Sequence, residues 1–90
     1  SVKVIEGTPI NKDDLFNQFD IIELDLSNKE INGILNLNKF CNLTILNCYQ
    51  NKITNLNNLP NSLTKLYCER NKITNLDNLP NSLTKLICCN

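Results

Sequence analysis

A near-literal internal repeat governs what this chain can fold into. Residues 43–62 read LTILNCYQNKITNLNNLPNS and residues 63–82 read LTKLYCERNKITNLDNLPNS, one twenty-residue unit with most positions identical. A third copy begins at Leu83 and runs as LTKLICCN to Asn90. A degenerate copy, two residues longer, spans 21–42 as IIELDLSNKEINGILNLNKFCN. It keeps apolar residues at Ile21, Leu24, Leu26, Ile31, Ile34, Leu37 and Phe40. No unit this short can bury its own leucines. Stacked neighbours bury them for one another, which makes the chain a solenoid.

Within each unit the segment L-x-x-L-x-C alternates. Leu66 and Cys68 point one way, while Lys65, Tyr67 and Glu69 point the other, the pattern of a short strand with one buried face. Asn71 then turns the chain. Ile73, Leu76 and Leu79 return it at three-residue spacing, which predicts an irregular or 3₁₀-like arc. Pro80 falls where no backbone donor is needed. Successive strands stack in parallel about 4.8 Å apart, and Leu46, Leu66 and Leu86 are expected in one column. The expected fold class is an α/β-type solenoid, mostly strand and irregular arcs, right-handed, with a parallel sheet on its concave side. Segment 1–20 is expected to be a small N-terminal helical cap, with the tail end of a preceding domain as the alternative. Asn11 is its N-cap, Asp13 and Asp14 lie in its first turn, and Leu15, Phe16 and Phe19 form its apolar face. The repeats then occupy 21–90, divided as 21–42, 43–62, 63–82 and a partial unit 83–90.

The recurrence of L-x-x-L-x-C-x-x-N-x-I in register at Leu43 and Leu63 resembles the leucine-rich-repeat family. The likeness covers Ile21 to Asn90, about three quarters of the chain. The Leu-Pro-x-Ser-Leu steps at 59–63 and 79–83 are similar to the short repeats of bacterial effector proteins. The cysteine in the third strand slot is similar to repeats found in protists and Bacteroides-like bacteria, and the twenty-residue repeats as a whole resemble those of protist and large-virus proteins. Lys29 departs from the pattern, standing where the first unit would carry its asparagine. The resemblance implies a module that binds other proteins through the sheet side.

The outward strand positions are the candidate partner-binding residues: Ile45, Asn47 and Tyr49 in one row, Lys65, Tyr67, Glu69 and Arg70 in the next, and Lys85 and Ile87 in the last. Glu23, Asp25 and Ser27 precede them. A core needs none of these side chains, and tyrosine and arginine are enriched among residues that dominate binding energy. Acidic residues at one end and basic ones at the other suit a partner of opposite polarity. Asn51 and Asn71 read instead as a structural row, since a buried amide both donates and accepts and satisfies the turns of adjacent units. Cys48, Cys68 and Cys88 share one slot and read as small buried hydrophobes. A linear row cannot converge tetrahedrally on a metal. Cys41, near a unit boundary, reads as buried, and Cys89 as outward.

Composition removes several function classes. Nine basic and nine acidic residues cancel, and histidine is absent. The balance argues against nucleic-acid binding, and the missing histidine against Ser-His or Cys-His catalysis. No glycine loop suits a phosphate, and no apolar run nears the ~20 residues that cross a bilayer. The expectation is therefore no enzyme, no cofactor, no metal, no nucleic acid and no membrane. Five cysteines, with no apolar signal core in Ser1 to Glu6, favour free thiols in a reducing intracellular compartment. The expected function is a protein–protein interaction scaffold using the concave face. The alternative is a self-associating unit, a homodimer joined through the open edge of its C-terminal repeat.

Overall fold

The computed structural model describes residues 20–88. The helical cap expected over 1–20 and the outward thiol of Cys89 fall outside the described residues, apart from Asp20. Six strands follow one another: β1 (Glu23–Asp25), β2 (Asn32–Asn36), β3 (Ile45–Asn47), β4 (Lys52–Asn58), β5 (Lys65–Tyr67) and β6 (Lys85–Ile87). They form two sheets, one ordered β1-β3-β5-β6 and the other β2-β4, with every pairing parallel. The result is a small β-solenoid of about three turns.

The four-stranded sheet forms because each L-x-x-L-x-C segment offers the same alternation at the same place in the repeat. Leu24, Leu46, Leu66 and Leu86 are direct partners across it. A one-residue slip would turn every leucine to the solvent side, so the buried face fixes the register. The chain closes each coil with its own polar side chains. Ser62 Oγ donates to the Leu43 carbonyl at 2.6 Å and Ser82 Oγ to that of Leu63 at 2.5 Å. Thr44, Thr64 and Thr84 donate their hydroxyls to the carbonyls of Ile22, Thr44 and Thr64. The repeated N-S-L-T step is thus a set of hydroxyl rungs between coils.

The return arc differs from expectation. Where the three-residue apolar spacing predicts an irregular or 3₁₀-like path, the first two arcs are strands, and the described residues hold no helix. Among the described residues the chain is therefore a β-solenoid of parallel strands, where the expectation was α/β-type. The reason lies between coils, not within one. Lys52 N donates to Ile31 O at 2.6 Å and Leu37 N to Asn58 O at 2.8 Å, so neighbouring arcs satisfy each other's backbone. The ladder continues into the third arc, where Lys72 N reaches Ile53 O at 2.9 Å. Two register shifts in the β2–β4 pair, beside Gly33 and Ile34, reconcile three-residue spacing with a strand. Gly33 adopts φ 78°, a conformation open to it because it lacks a Cβ. Beyond it Leu35, not Ile34, turns into the core: Leu35 is 0% exposed and Ile34 37%.

The core runs through the stack from Leu26, Ile31, Leu37 and Phe40 to Leu63 and Leu66. It thins at the C-terminal coil. Leu56 is 2% exposed, whereas Leu76, twenty residues on, is 44% exposed and Leu86 is 40% exposed. The first two arcs pair at strand spacing, as the sheet side does, and the third arc is not a strand.

Candidate binding face

The sheet residues that point away from Leu46 and Leu66 make one continuous face. Its first row runs Glu23, Ile45, Lys65, Lys85 and its second Asp25, Asn47, Tyr67, Ile87, each residue a direct partner of the next. Just past the strands, Asn28 N donates to Tyr49 O and Gln50 N to Glu69 O, which carries the ladder through a third row. The structure therefore brings the nine candidate residues onto adjoining positions. Ile45, Asn47, Tyr49, Tyr67, Glu69 and Ile87 are half-buried, and Lys65, Arg70 and Lys85 are exposed.

Several of these side chains are already engaged. Lys85 Nζ lies over the Tyr67 ring, 5.6 Å from its centroid, a cation–π contact between adjacent strands. Asn47 Oδ1 accepts the Tyr49 backbone N–H at 3.0 Å and so fixes the bend after β3. Asp25 plays the same part after β1. Its Oδ1 accepts the Ser27 hydroxyl at 2.6 Å and the Ser27 backbone N–H at 2.9 Å. Those bonds, with the Lys29 charge, hold its carboxyl below the ordinary value. Glu69 stands apart. Its Oε1 is buried and has no hydrogen-bond partner, a condition that folded proteins seldom leave unexplained.

Asn28, Gln50 and Arg70 take equivalent places in the three turns beside this face, all with φ of 56–57°. The left-handed region is unfavourable for a residue with a Cβ. Its recurrence shows that the turn geometry, not the local residue, dictates the backbone. Next to these turns lies an open depression of about 500 Å³ lined by Asn28, Lys29, Glu30, Gln50, Asn51 and Lys52. No sequence motif marks it.

Behind the turns sit the two asparagines. Asn51 Nδ2 donates to the carbonyls of Leu26, Cys48 and Tyr49 at 2.8, 3.0 and 3.3 Å. Its Oδ1 accepts from Lys29 N and Ile31 N, both at 3.0 Å. Asn71 repeats the arrangement one coil on, donating to Cys48, Cys68 and Glu69 carbonyls and accepting from Ile53 N. Each amide therefore ties its own turn to the coil before it.

The cysteines depart from the sequence reading. Cys68 and Cys88 are joined by a disulfide, with Cα atoms 4.7 Å apart, where two free thiols are expected. Their identical slots on paired strands supply the proximity. Cys48, one coil earlier, is a buried free thiol, and burial, reinforced by the Glu69 charge, pushes its pKa up to about 12. Cys41 is exposed, not buried, because the turn it occupies faces solvent. No group of three or more His, Cys, Asp or Glu converges as a metal site among the described residues. Comparison with known protein families, characterised proteins and solved structures finds no match to this chain.

Proposed function

We propose that the chain is a leucine-rich-repeat interaction module that binds another protein through the face of the β1-β3-β5-β6 sheet. One observation carries the reading. The two complete twenty-residue units differ at only five positions: 45/65, 47/67, 49/69, 50/70 and 57/77. Four of the five are on the sheet face or the turn beside it. Between residues 63–68 and 83–88 the single difference is Tyr67 against Ile87, again on that face. Every position that packs one coil on the next stays the same. The side chains that vary include Ile45, Tyr49, Tyr67 and Ile87, which the core does not need and a binding surface uses as anchors. A partner meeting Glu23 and Asp25 with basic groups, and Lys65, Arg70 and Lys85 with acidic ones, matches the polarity of the face.

The test uses a partner identified by affinity capture and then purified. Changing Tyr49 and Tyr67 together to Ala should weaken its binding by at least about 2 kcal/mol, the range of a lost anchor, with the far-ultraviolet circular dichroism unchanged. Equal affinity for the double variant would end this reading. The exposed leucines of the last coil favour a second reading, self-association through that end. Sedimentation of the wild type and of Leu86→Asp separates the two. An oligomer that dissociates only in Leu86→Asp supports the second reading, and one affected only by the tyrosine changes supports neither end.

A further inference from the structure

Cys48, Cys68 and Cys88 form a column one strand apart. Cys48 N donates to Tyr67 O and Cys68 N to Ile87 O, both at 2.8 Å, so the same ladder bond sets each cysteine against the next. The 4.7 Å between the Cα atoms of Cys68 and Cys88 is the ordinary spacing of neighbouring strands. It also lies within the range a disulfide spans, roughly 4.4–6.8 Å. The repeat gives Cys48 and Cys68 the same backbone relationship. Cys48 and Cys88 are two strands apart, at about twice the ~4.8 Å spacing, which is beyond a disulfide's reach. Three sulfurs share one bond, Cys68 is common to both possible pairs, and one end of the column is always left over.

We propose that this column is a thiol–disulfide ladder in which the bond moves by one rung. Cys48 Sγ attacks Cys68 Sγ and its electron pair forms the new Cys48–Cys68 bond. The old Cys68–Cys88 bond breaks, and its pair leaves with Cys88 as a thiolate. Cys48 gives up its proton and Cys88 takes one back, so no oxidant or reductant is consumed. Identical slots along the stacking direction put the three cysteines in the order attacking, central and leaving, the order that displacement at sulfur requires. In the state seen here the bond staples β6, the edge strand of the sheet, to β5. In the shifted state Cys88 is a free thiol at the open end and hydrogen bonds alone hold β6. Burial of Cys48 and the nearby Glu69 carboxylate keep its thiol protonated, so the shift is gated by local opening of the coils that flank it.

The full chain carrying Cys41→Ser and Cys89→Ser retains only the column. Purified with the Cys68–Cys88 bond, it is incubated at pH 9 without added thiol, quenched in acid, alkylated and mapped by peptide mass. The expected result is growth of a Cys48–Cys68 species at a rate independent of protein concentration. Adding Cys88→Ser and oxidising should give Cys48–Cys68, whereas adding Cys68→Ser should leave Cys48 and Cys88 both alkylated as monomers. The last variant distinguishes the folded ladder from an unfolded chain, which would join those two freely. A map holding only Cys68–Cys88 after prolonged incubation would overturn the proposal. So would a Cys88→Ser chain with both remaining thiols free, or an intramolecular Cys48–Cys88 bond.

Discussion

Asn71 is a small side chain with a large share in joining two coils. Three carbonyls take its amide hydrogens and one backbone N–H binds its oxygen. Alanine there strands buried backbone groups, and urea denaturation should show a loss of about 1–3 kcal/mol. Cys48 gives a second prediction. Its thiol stays neutral in the fold until about pH 12, whereas the unfolded chain releases that proton near the ordinary thiol value of 9.0. The unfolded state thus binds fewer protons between those values, and stability falls as pH rises through that window. The expected slope from this residue is about 1.4 kcal/mol per pH unit. Subtracting the profile of Cys48→Ala from that of the wild type, both by thermal melting, should isolate it. Residue chemistry alone made part of this legible. An amide recurring every twenty residues beside a turn has few uses other than tying turns together. The disulfide was not legible, because spacing places sulfurs side by side without saying whether they are joined. Nor was Cys41's exposure, which follows from where its turn faces.

At the scale of elements, position in the stack outweighs residue type. Leu46 and Leu86 occupy the same slot of the same sheet, yet Leu46 is fully buried and Leu86 has a coil on only one side. Leu46→Ala should therefore destabilise by about 2–5 kcal/mol. Leu86→Ala should cost well under half as much in the same denaturation assay, since much of that side chain is already wet. The turns allow a change in the other direction. Gln50 holds φ 56°, so Gln50→Gly removes a Cβ clash and should raise stability by up to about 1 kcal/mol, less the entropy glycine adds to the unfolded chain. The four short strands were readable from period-two alternation over three residues. The arcs were not. Apolar residues at Ile53, Leu56 and Leu59 carry a three-residue period that reads as 3₁₀, and only the hydrogen bonds offered by the next coil make a strand of them. Likewise Ile34 and Leu35 are interchangeable by hydropathy, and the kink at Gly33 decides between them.

The described residues form a one-dimensional stack in which β6 is paired on one side. Nearest-neighbour coupling then predicts that a further copy of the unit, joined after the last strand, buries Leu76 and Leu86 and raises the denaturation midpoint. The slope of free energy on denaturant should rise with it, because more surface is exposed on unfolding. An extended chain that melts in two steps, the added unit first and the parent unchanged, would contradict that coupling. The parallel ladder on the sheet side has one more consequence. Each coil sets down one more row of outward side chains, a strand spacing from the last. Lengthening the array by whole units would lengthen that face by whole rows and leave its width as it is.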